Sequence, residues 1–349
     1  MTSRLNGLLA ASLIATTLPT LAQTYRITDL GAVAGDSVSK AYALNDVGQA
    51  AGSSSSPTGA KATLFSKGQA IYLGTLVSGD VSVATGINAS AEVVGYEPEY
   101  STVGVSAFHA FVYSNGALHD IHSPSLFPAG TSATAINASG VVVGEGELDT
   151  NRFHAFSYSN GQMTDIGPPG SYQALAVGIN DVGQIVGNAY FTQGGGGAFV
   201  YSNGQFTYLA APSSTVTVSA FGISSTGVVA GTIYFNSGTP AHAAVYRNGA
   251  WTDLGAVAGA SATHGTGVNA SLEVIATAYY PVKSYHPFIP GKHVAYIVQN
   301  GALVNLNTLI PTNSGFTVTD SIAINDAGQI LCDAQNTHGI ERAVLLTPK

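Results

Sequence analysis

The sequence predicts an all-β protein, a seven-bladed β-propeller made of four-stranded antiparallel blades. One turn motif occurs seven times, at intervals of 43 to 56 residues, which is the length that a four-stranded blade needs. A strand with alanine at a fixed place recurs with the same period. The two ends of the chain carry complementary parts of one repeat, so we expect the N-terminal strand to complete the C-terminal blade.

The first 22 residues are typical of a secretory signal peptide. Arg4 provides the positive charge, residues 8–15 form an apolar stretch, and Thr20-Leu21-Ala22 provides small residues for cleavage before Gln23. The alternative is an uncleaved anchor, but the apolar stretch is short for a membrane span. We therefore predict a secreted protein, extracellular or periplasmic, whose residues 23–349 form a single propeller domain.

Composition excludes several classes of protein. Only 9% of the residues are charged and 42 are glycine, which argues against a coiled coil and against a charge-rich disordered chain. The net charge of −8 argues against a nucleic-acid partner. Cys332 is the only cysteine, so no internal disulfide can form, and we expect this thiol to be buried. No stretch after the leader suggests a membrane span, and we expect a monomer without cofactor or metal.

The repeated turn is best seen in residues 178–187, where Asn180-Asp181-Val182-Gly183 separates two apolar segments. Asparagine and glycine tolerate left-handed backbone, so this tetrapeptide predicts a tight hairpin between the first two strands of a blade. Asn203-Gly204 predicts a second hairpin, between the third and fourth strands. The seven turn positions are Asn45, Asn88, Asn137, Asn180, Ser224, Asn269 and Asn325.

The third strand of each copy has alanine in its second place. A position that never carries more than a methyl group is expected where neighbouring sheets approach closely. The seven alanines are Ala62, Ala110, Ala155, Ala198, Ala243, Ala295 and Ala343.

The ends of the chain predict how the ring closes. Residues 28–35 repeat residues 252–259 without a change, and the second segment is the fourth strand of a blade with its exit loop. The last copy ends at Lys349 without a fourth strand. We therefore predict that Tyr25 to Leu30 pairs with Ala343 to Leu346, which leaves only short exposed edges.

Two copies contain the triplet His-Ala-Phe, at residues 109–111 and 154–156, between the asparagine turn and a Tyr-Ser-Asn-Gly turn. In this arrangement the chain resembles the bacterial extracellular family of HAF repeats over the whole length that follows the leader. The first, fourth, sixth and seventh copies lack the histidine. The resemblance implies an extracellular repeat protein and no particular reaction. We expect each triplet histidine to donate a hydrogen bond within its own blade rather than to share a metal.

The two faces of the predicted disc differ in their loops. Both tight turns of each blade fall on one face, which we call the turn face. The variable connections, from the second to the third strand and from blade to blade, fall on the other, which we call the loop face. Recognition usually resides in variable loops on a rigid scaffold, so the loop face is the candidate binding surface.

Aromatic and acidic residues are concentrated in these variable loops. Three consecutive copies carry aromatic pairs at the same distance from the turn, namely Tyr190 and Phe191, Tyr234 and Phe235, and Tyr279 and Tyr280. The second and third copies carry Glu97, Glu99, Tyr100, Glu145, Glu147 and Asp149. His286, with Lys292 and His293, lies in the longest loop. Aromatic faces together with carboxylates suit a sugar or a cationic, amphipathic ligand. The alternative is that one aromatic side chain of each pair packs inward and that the acidic side chains are merely solvated.

Three functions are consistent with this sequence. The preferred one is a binding or surface-interaction module that recognises an extracellular ligand, such as a glycan, through the loop face. The second is a hydrolase or lyase that acts on an extracellular polysaccharide with Glu97, Glu99, Glu145 or Glu147. The third is an architectural repeat protein with neither ligand nor activity.

Overall fold

A computed structural model describes residues 23–57, 59–76, 81–101, 104–149, 151–282, 284–285, 288–289 and 291–349. The predicted signal peptide, residues 1–22, and His286 lie outside the described residues. The predicted fold class is confirmed, because seven four-stranded antiparallel sheets pack one against the next in a ring. We number the blades along the chain and name their strands first to fourth, from the central channel outwards.

The strands of the first four blades follow one another directly in the sequence. Blade 1 consists of Val38–Leu44, Ala50–Ser56, Gly59–Ser66 and Gln69–Tyr72. Blade 2 consists of Val83–Ile87, Val93–Ser101, Gly104–Ser114 and Ala117–Asp120. Blade 3 consists of Gly130–Ile136, Val142–Asp149, Arg152–Ser159 and Gln162–Asp165. Blade 4 consists of Gln173–Ile179, Ile185–Tyr190, Gly196–Ser202 and Gln205–Tyr208.

The last three blades differ from this plan in two places. Blade 5 consists of Val216–Ile223, Val229–Phe235, His242–Arg247 and Ala250–Gly255. Blade 6 consists of Ala262–Val268, Val274–Tyr280, Lys292–Gln299 and Ala302–Asn305, with the short pair Ser284–Tyr285 and Phe288–Ile289 inserted. Blade 7 consists of Phe316–Ile324, Ile330–Asn336, Glu341–Pro348 and Tyr25–Asp29. A single turn of 3₁₀ helix, Leu306–Thr308, precedes blade 7.

The ring closes as the sequence predicts. Tyr25–Asp29 pairs antiparallel with the last strand, with Tyr25 opposite Pro348 and Asp29 opposite Val344. The Tyr25 N–H donates to the Leu309 carbonyl at 2.9 Å, which also ties this strand to the segment leaving blade 6. Both ends of the domain are thereby held in one sheet. Within the part of the chain that is described, no helix has the length and apolar character to cross a membrane.

The hydrophobic core lies between the blades. The alanine in the second place of the third strand is fully or almost fully buried in every blade. In blades 2, 3 and 4 the phenylalanine after it is also buried and faces a glycine of the second strand, at Gly95, Gly144 and Gly187. A Cβ at any of these glycines would overlap both the phenylalanine ring and a first-strand carbonyl. In blade 7 the corresponding residue is Cys332, which is buried as expected and fits because it faces the smaller Val344.

A chain of buried asparagines joins the blades around the turn face. Each turn asparagine accepts the N–H of the fourth residue after it, and its Nδ2 donates to the carbonyl of the equivalent turn residue in the next blade, 3.0 to 3.2 Å away. The last link, from Asn325 to Asn45, joins blade 7 to blade 1. Ser224 has no amide to extend to blade 6, and its Oγ accepts the Val228 N–H and pairs with the Thr226 hydroxyl of the same turn. Turn chemistry alone predicts these residues from the sequence, whereas their links between blades were not predicted.

Asn180→Ala is expected to lower the free energy of unfolding by about 2–3 kcal/mol, because it leaves the Ser224 carbonyl and the Gln184 N–H buried without these partners. Asn180→Ser keeps an acceptor for the Gln184 N–H, as Ser224 does for Val228, so we expect a loss of only about 1 kcal/mol. Urea-induced unfolding of the two variants measures the difference. Two variants as stable as the wild type would contradict a structural role for the asparagine chain.

Candidate functional site

The central channel is lined by one extra residue from each blade. In all seven first strands the pairing with the second strand skips a residue, which forms a β-bulge and turns that residue toward the axis. The seven bulge residues are Tyr42, Thr85, Thr134, Val177, Phe221, Thr266 and Ile322. Tyr42 and Phe221 are the most exposed of them, at 43% and 40%.

The channel mouth on the turn face is occupied by the protein's own hydrogen bonds. Asp181 and Asp326 accept the N–H groups of Ala138 and Ala270 from the preceding blades, both at 2.8 Å. Asp46 accepts the Asp326 N–H in the same way at 3.0 Å. Because these carboxylates already hold neighbouring turns together, we assign no ligand to this mouth.

The loop face contains a cavity of about 370 Å³ that is lined by residues of blades 2 and 3, which we call the blade 2–3 cavity. Its aromatic walls are Tyr96 and Phe108 from blade 2 and Phe153 from blade 3. The rings of Tyr96 and Phe108 are 5.7 Å apart and almost perpendicular. Glu145 and Glu147 supply its acidic side. The cavity therefore combines two of the predicted acids with three aromatic residues that were not among the sequence candidates.

The geometry of the second strand places both acids on one side. Glu145 and Glu147 alternate with Gly146, so their side chains leave the same face of the strand. Gly146 lies on the other face, under the fully buried ring of Phe127, and a Cβ there would overlap that ring. A residue larger than glycine would have to displace Phe127.

The two acids have no partner of opposite charge. Burial raises the pKa of Glu145, and the neighbouring charge of Glu147 raises it further. Among the residues that the structure describes, neither carboxylate makes a hydrogen bond or an ion pair. The guanidinium of Arg152 is 3.1 Å from Asp149, on the exposed end of the hairpin. The cavity thus carries negative charge that the described residues leave unneutralised.

The remaining candidates of blades 2 and 3 lie outside this cavity. Glu97 is fully buried, and its carboxylate accepts the Leu76 N–H at 2.6 Å, so it holds the connection between blades 1 and 2. Glu99 accepts a hydrogen bond from the Ser106 hydroxyl at 3.1 Å. Tyr100 is 56% exposed and Asp149 pairs with Arg152. The structure therefore brings together two of the six candidates from these blades.

The predicted aromatic pairs divide into two groups. The first members of two pairs, Tyr234 and Tyr279, lie 5.8 and 5.0 Å from the ring of His264, which also contacts Phe221. Burial lowers the pKa of this histidine. Tyr190, the first member of the third pair, is 43% exposed at the end of the adjacent second strand. We call Tyr190, Phe221, Tyr234, His264 and Tyr279 the aromatic arc.

The second members of the pairs pack against their own blades, as the alternative interpretation expected. Phe191 lies 6.4 Å from the Tyr208 ring, and Phe235 lies 4.7 Å from His242. The Tyr280 hydroxyl is 3.2 Å from that of Tyr296.

Three histidines of the third strands are held within their blades. The Nδ1 atoms of His109, His154 and His242 lie 2.8 to 2.9 Å from carboxylates of Asp120, Asp165 and Asp253 on the adjacent fourth strands. This bears out the expected hydrogen bonds within blades. Within the described part of the chain, no group of three or more histidine, cysteine or acidic residues could hold a metal ion.

The expectation that Lys292 and His293 belong to the longest loop is wrong. Both lie in the third strand of blade 6, where His293 pairs with Asp320 of blade 7 at 3.0 Å. Lys292 lies 5.0 Å above the Tyr280 ring.

Comparison with known proteins identifies the fold but no family. No family model and no curated protein matches the chain. Among solved structures, an oligogalacturonate lyase from Vibrio parahaemolyticus is similar with a TM-score of 0.54 and 10% identity, over 92% of this chain and 93% of that one. An acylaminoacyl peptidase from Pyrococcus horikoshii has a TM-score of 0.50 and 12% identity, over 85% of this chain and 50% of that one. A gluconolactonase from Xanthomonas campestris has a TM-score of 0.42 and 10% identity, over 94% and 91%. At such identities the likeness concerns the propeller alone.

Proposed function

We propose that this protein is a secreted binding module that recognises an extracellular glycan through its loop face, with the blade 2–3 cavity as the principal site. The observation that carries the proposal is one cavity that is lined by two unneutralised carboxylates and three aromatic side chains. Sugar rings present apolar C–H faces that pack on aromatic rings, and their hydroxyls donate to carboxylates. A cavity of about 370 Å³ is within the usual range for small ligands.

The aromatic arc supports a ligand longer than one sugar unit. Its side chains lie at the loop-face end of blades 4, 5 and 6, whereas the cavity lies between blades 2 and 3. Two bulge residues, Tyr42 and the arc residue Phe221, expose aromatic surface to the central channel. The predicted signal peptide and the resemblance to extracellular repeats favour a ligand outside the cytoplasm.

Tyr96→Ala is expected to weaken saccharide binding at least tenfold, because it removes one aromatic wall of the cavity. A glycan array followed by isothermal titration calorimetry with the best ligand measures the effect. The matched control is Glu92→Gln on the turn face, where the chain itself has glutamine in blades 1, 4 and 7. Loss of binding in the control, or full binding by a folded Tyr96→Ala variant, would refute the site.

A second candidate function is the hydrolysis or lysis of an extracellular polysaccharide by the same two acids. It is favoured by the raised pKa of Glu145 beside Glu147, since a protonated and an ionised carboxyl suit general acid and base roles. Side chains two residues apart on a strand are separated by roughly 7 Å, which lies in the range for inverting glycosidases.

This second function predicts turnover that Glu145→Gln and Glu147→Gln each reduce at least about a hundredfold. Activity that depends on a protonated Glu145 should fall as the pH rises through its raised pKa. Release of reducing ends, or of unsaturated products, from a panel of polysaccharides measures it. Binding without turnover leaves the binding module as the function, and turnover that survives both substitutions excludes catalysis by these acids.

A further inference from the structure

We infer that the blade 2–3 cavity selects saccharides that carry a protonated amine, that is amino sugars, over neutral and acidic sugars. The inference rests on the proposed function, in that it takes the cavity to be the glycan site, and it names the class of glycan. Its basis is the juxtaposition of Glu145 and Glu147 with the rings of Tyr96, Phe108 and Phe153.

The two carboxylates of the cavity lack a compensating cation among the described residues. Two carboxylates in one partly enclosed space repel each other, and a cation between them removes that repulsion and forms charge-assisted hydrogen bonds. No described residue supplies this cation. The nearest basic side chain in sequence, Arg152, pairs with Asp149. Lys40 pairs with Glu341 at 3.3 Å and Lys61 with Asp36 at 3.0 Å, both within other parts of the ring. The cation that would complete the cavity must therefore come with the ligand.

The aromatic walls of the cavity can also attract an ammonium group. An ammonium group is attracted to the face of an aromatic ring by the ring's quadrupole, and the attraction is stronger where water is excluded. Such a contact occurs among the described residues, where the Lys292 ammonium lies 5.0 Å from the centre of the Tyr280 ring. The almost perpendicular rings of Tyr96 and Phe108 line the same cavity as the two acids. An amine and the apolar face of its own sugar ring could both be accommodated.

The negative charge of the cavity disfavours acidic and neutral sugars relative to amino sugars. A uronic acid would bring a third negative charge to two unneutralised ones, in a protein whose net charge is already −8. A neutral sugar can donate hydroxyl hydrogens to the carboxylates but leaves their mutual repulsion in place. The order of affinity expected for sugars of equal length is therefore amino, then neutral, then acidic.

The experiment compares three oligosaccharides of equal length by isothermal titration calorimetry, at a pH low enough for the amine to be protonated and high enough for both carboxylates to be ionised. Oligomers of glucosamine are expected to bind at least tenfold more tightly than oligomers of N-acetylglucosamine, which differ by an uncharged amide. Oligomers of galacturonic acid are expected to bind more weakly still. In the double variant Glu145→Gln, Glu147→Gln, the preference for the free amine should fall below about threefold. Glu92→Gln, with the charge change on the opposite face, should keep it.

The outcomes separate this inference from the proposed function. Equal affinity for the free and the acetylated oligomers, with Tyr96→Ala weakening both, overturns the amine selectivity while the glycan site stands. A preference for the amine that survives in the double variant also overturns it, since the selectivity would then come from the overall negative charge of the protein. A folded wild-type protein that binds no saccharide overturns both.

Discussion

Tyr25→Ala should lower the free energy of unfolding by about 4 kcal/mol, the largest loss of stability that we expect from a single substitution. Tyr25 is fully buried although it lies only two residues after the predicted cleavage site. Its side chain belongs to a core cluster that includes Ile275 and Ile297 of blade 6 and Val344 of blade 7. The truncation would leave a cavity between blades 6 and 7, beside the N-terminal strand that closes the ring. Thermal and urea-induced unfolding of the mature domain measure the loss.

The matched control is Tyr25→Phe. The Tyr25 hydroxyl is buried and has no hydrogen-bond partner among the described residues. Removing it deletes a desolvated polar group without opening a cavity, so we expect a change between zero and a gain of about 1 kcal/mol. Arg26→Ala, on the exposed side of the same strand, should have little effect. Equal stability of the alanine and phenylalanine variants would contradict the role of Tyr25 in closure.

The free energy of unfolding is also expected to decrease as the pH rises from about 4 to about 8, through the titration of Asp333. Burial raises the pKa of Asp333 to about 7, against an ordinary value of 3.8 in the unfolded chain. The folded state therefore retains a proton that the unfolded state has lost. Stability from this group is complete below about pH 4 and is lost as the pH rises through about 7. The difference between the two pKa values corresponds to about 4 kcal/mol.

Asp333 lies near charged groups of blade 1 and of its own blade 7. Lys40 comes from blade 1, whereas Asp320 and Glu341 come from blade 7 itself. The Asp333 carboxylate also accepts the Ala41 N–H at 3.3 Å. Asn188 has the equivalent place in blade 4, where it accepts the Ala220 N–H at 2.8 Å and donates to the Ala220 carbonyl at 2.9 Å. An uncharged side chain thus performs the same linking role elsewhere in the ring.

Asp333→Asn is therefore expected to stabilise the protein at about pH 8 by a few kcal/mol and to leave it little changed at about pH 4. Urea-induced unfolding at both values, for the wild type and the variant, isolates this residue from all others that titrate. A variant with the same pH dependence as the wild type would show that folding does not raise the pKa of Asp333.

The fold could be predicted because its signals are local and repeated. The asparagine turn, the buried alanine and the copied segment 28–35 each constrain one blade, and the period assembles them. The bulges of the first strands left no such signal, because residues as different as Tyr42, Thr134 and Ile322 occupy the same place. The asparagine links were equally hidden, since their acceptors are carbonyl groups of the next blade.

The candidate site was only partly predictable, and the distance of each residue from its turn asparagine explains why. Glu145 and Glu147 lie eight and ten residues after Asn137, whereas Glu97 lies nine residues after Asn88. Strand side chains alternate between faces, so an odd distance places Glu97 on the opposite face, where it is buried. Tyr234 lies at an even distance and Phe235 at an odd distance from the turn residue of their blade, so their side chains also lie on opposite faces of the strand. Phe108 and Phe153 directly precede the two triplet histidines, and this shared place in the sequence is a signal that could have identified them.

The most direct test of the central claim is photo-crosslinking with a diazirine-bearing form of the saccharide that binds best, followed by peptide mass spectrometry. The proposed site predicts crosslinks in peptides that contain Tyr96, Phe108 and residues 145–153, and their loss when unmodified saccharide is added in excess. Crosslinks confined to the turn face, around Asn45 and Asn180, or to the outer strands would contradict a glycan site between blades 2 and 3.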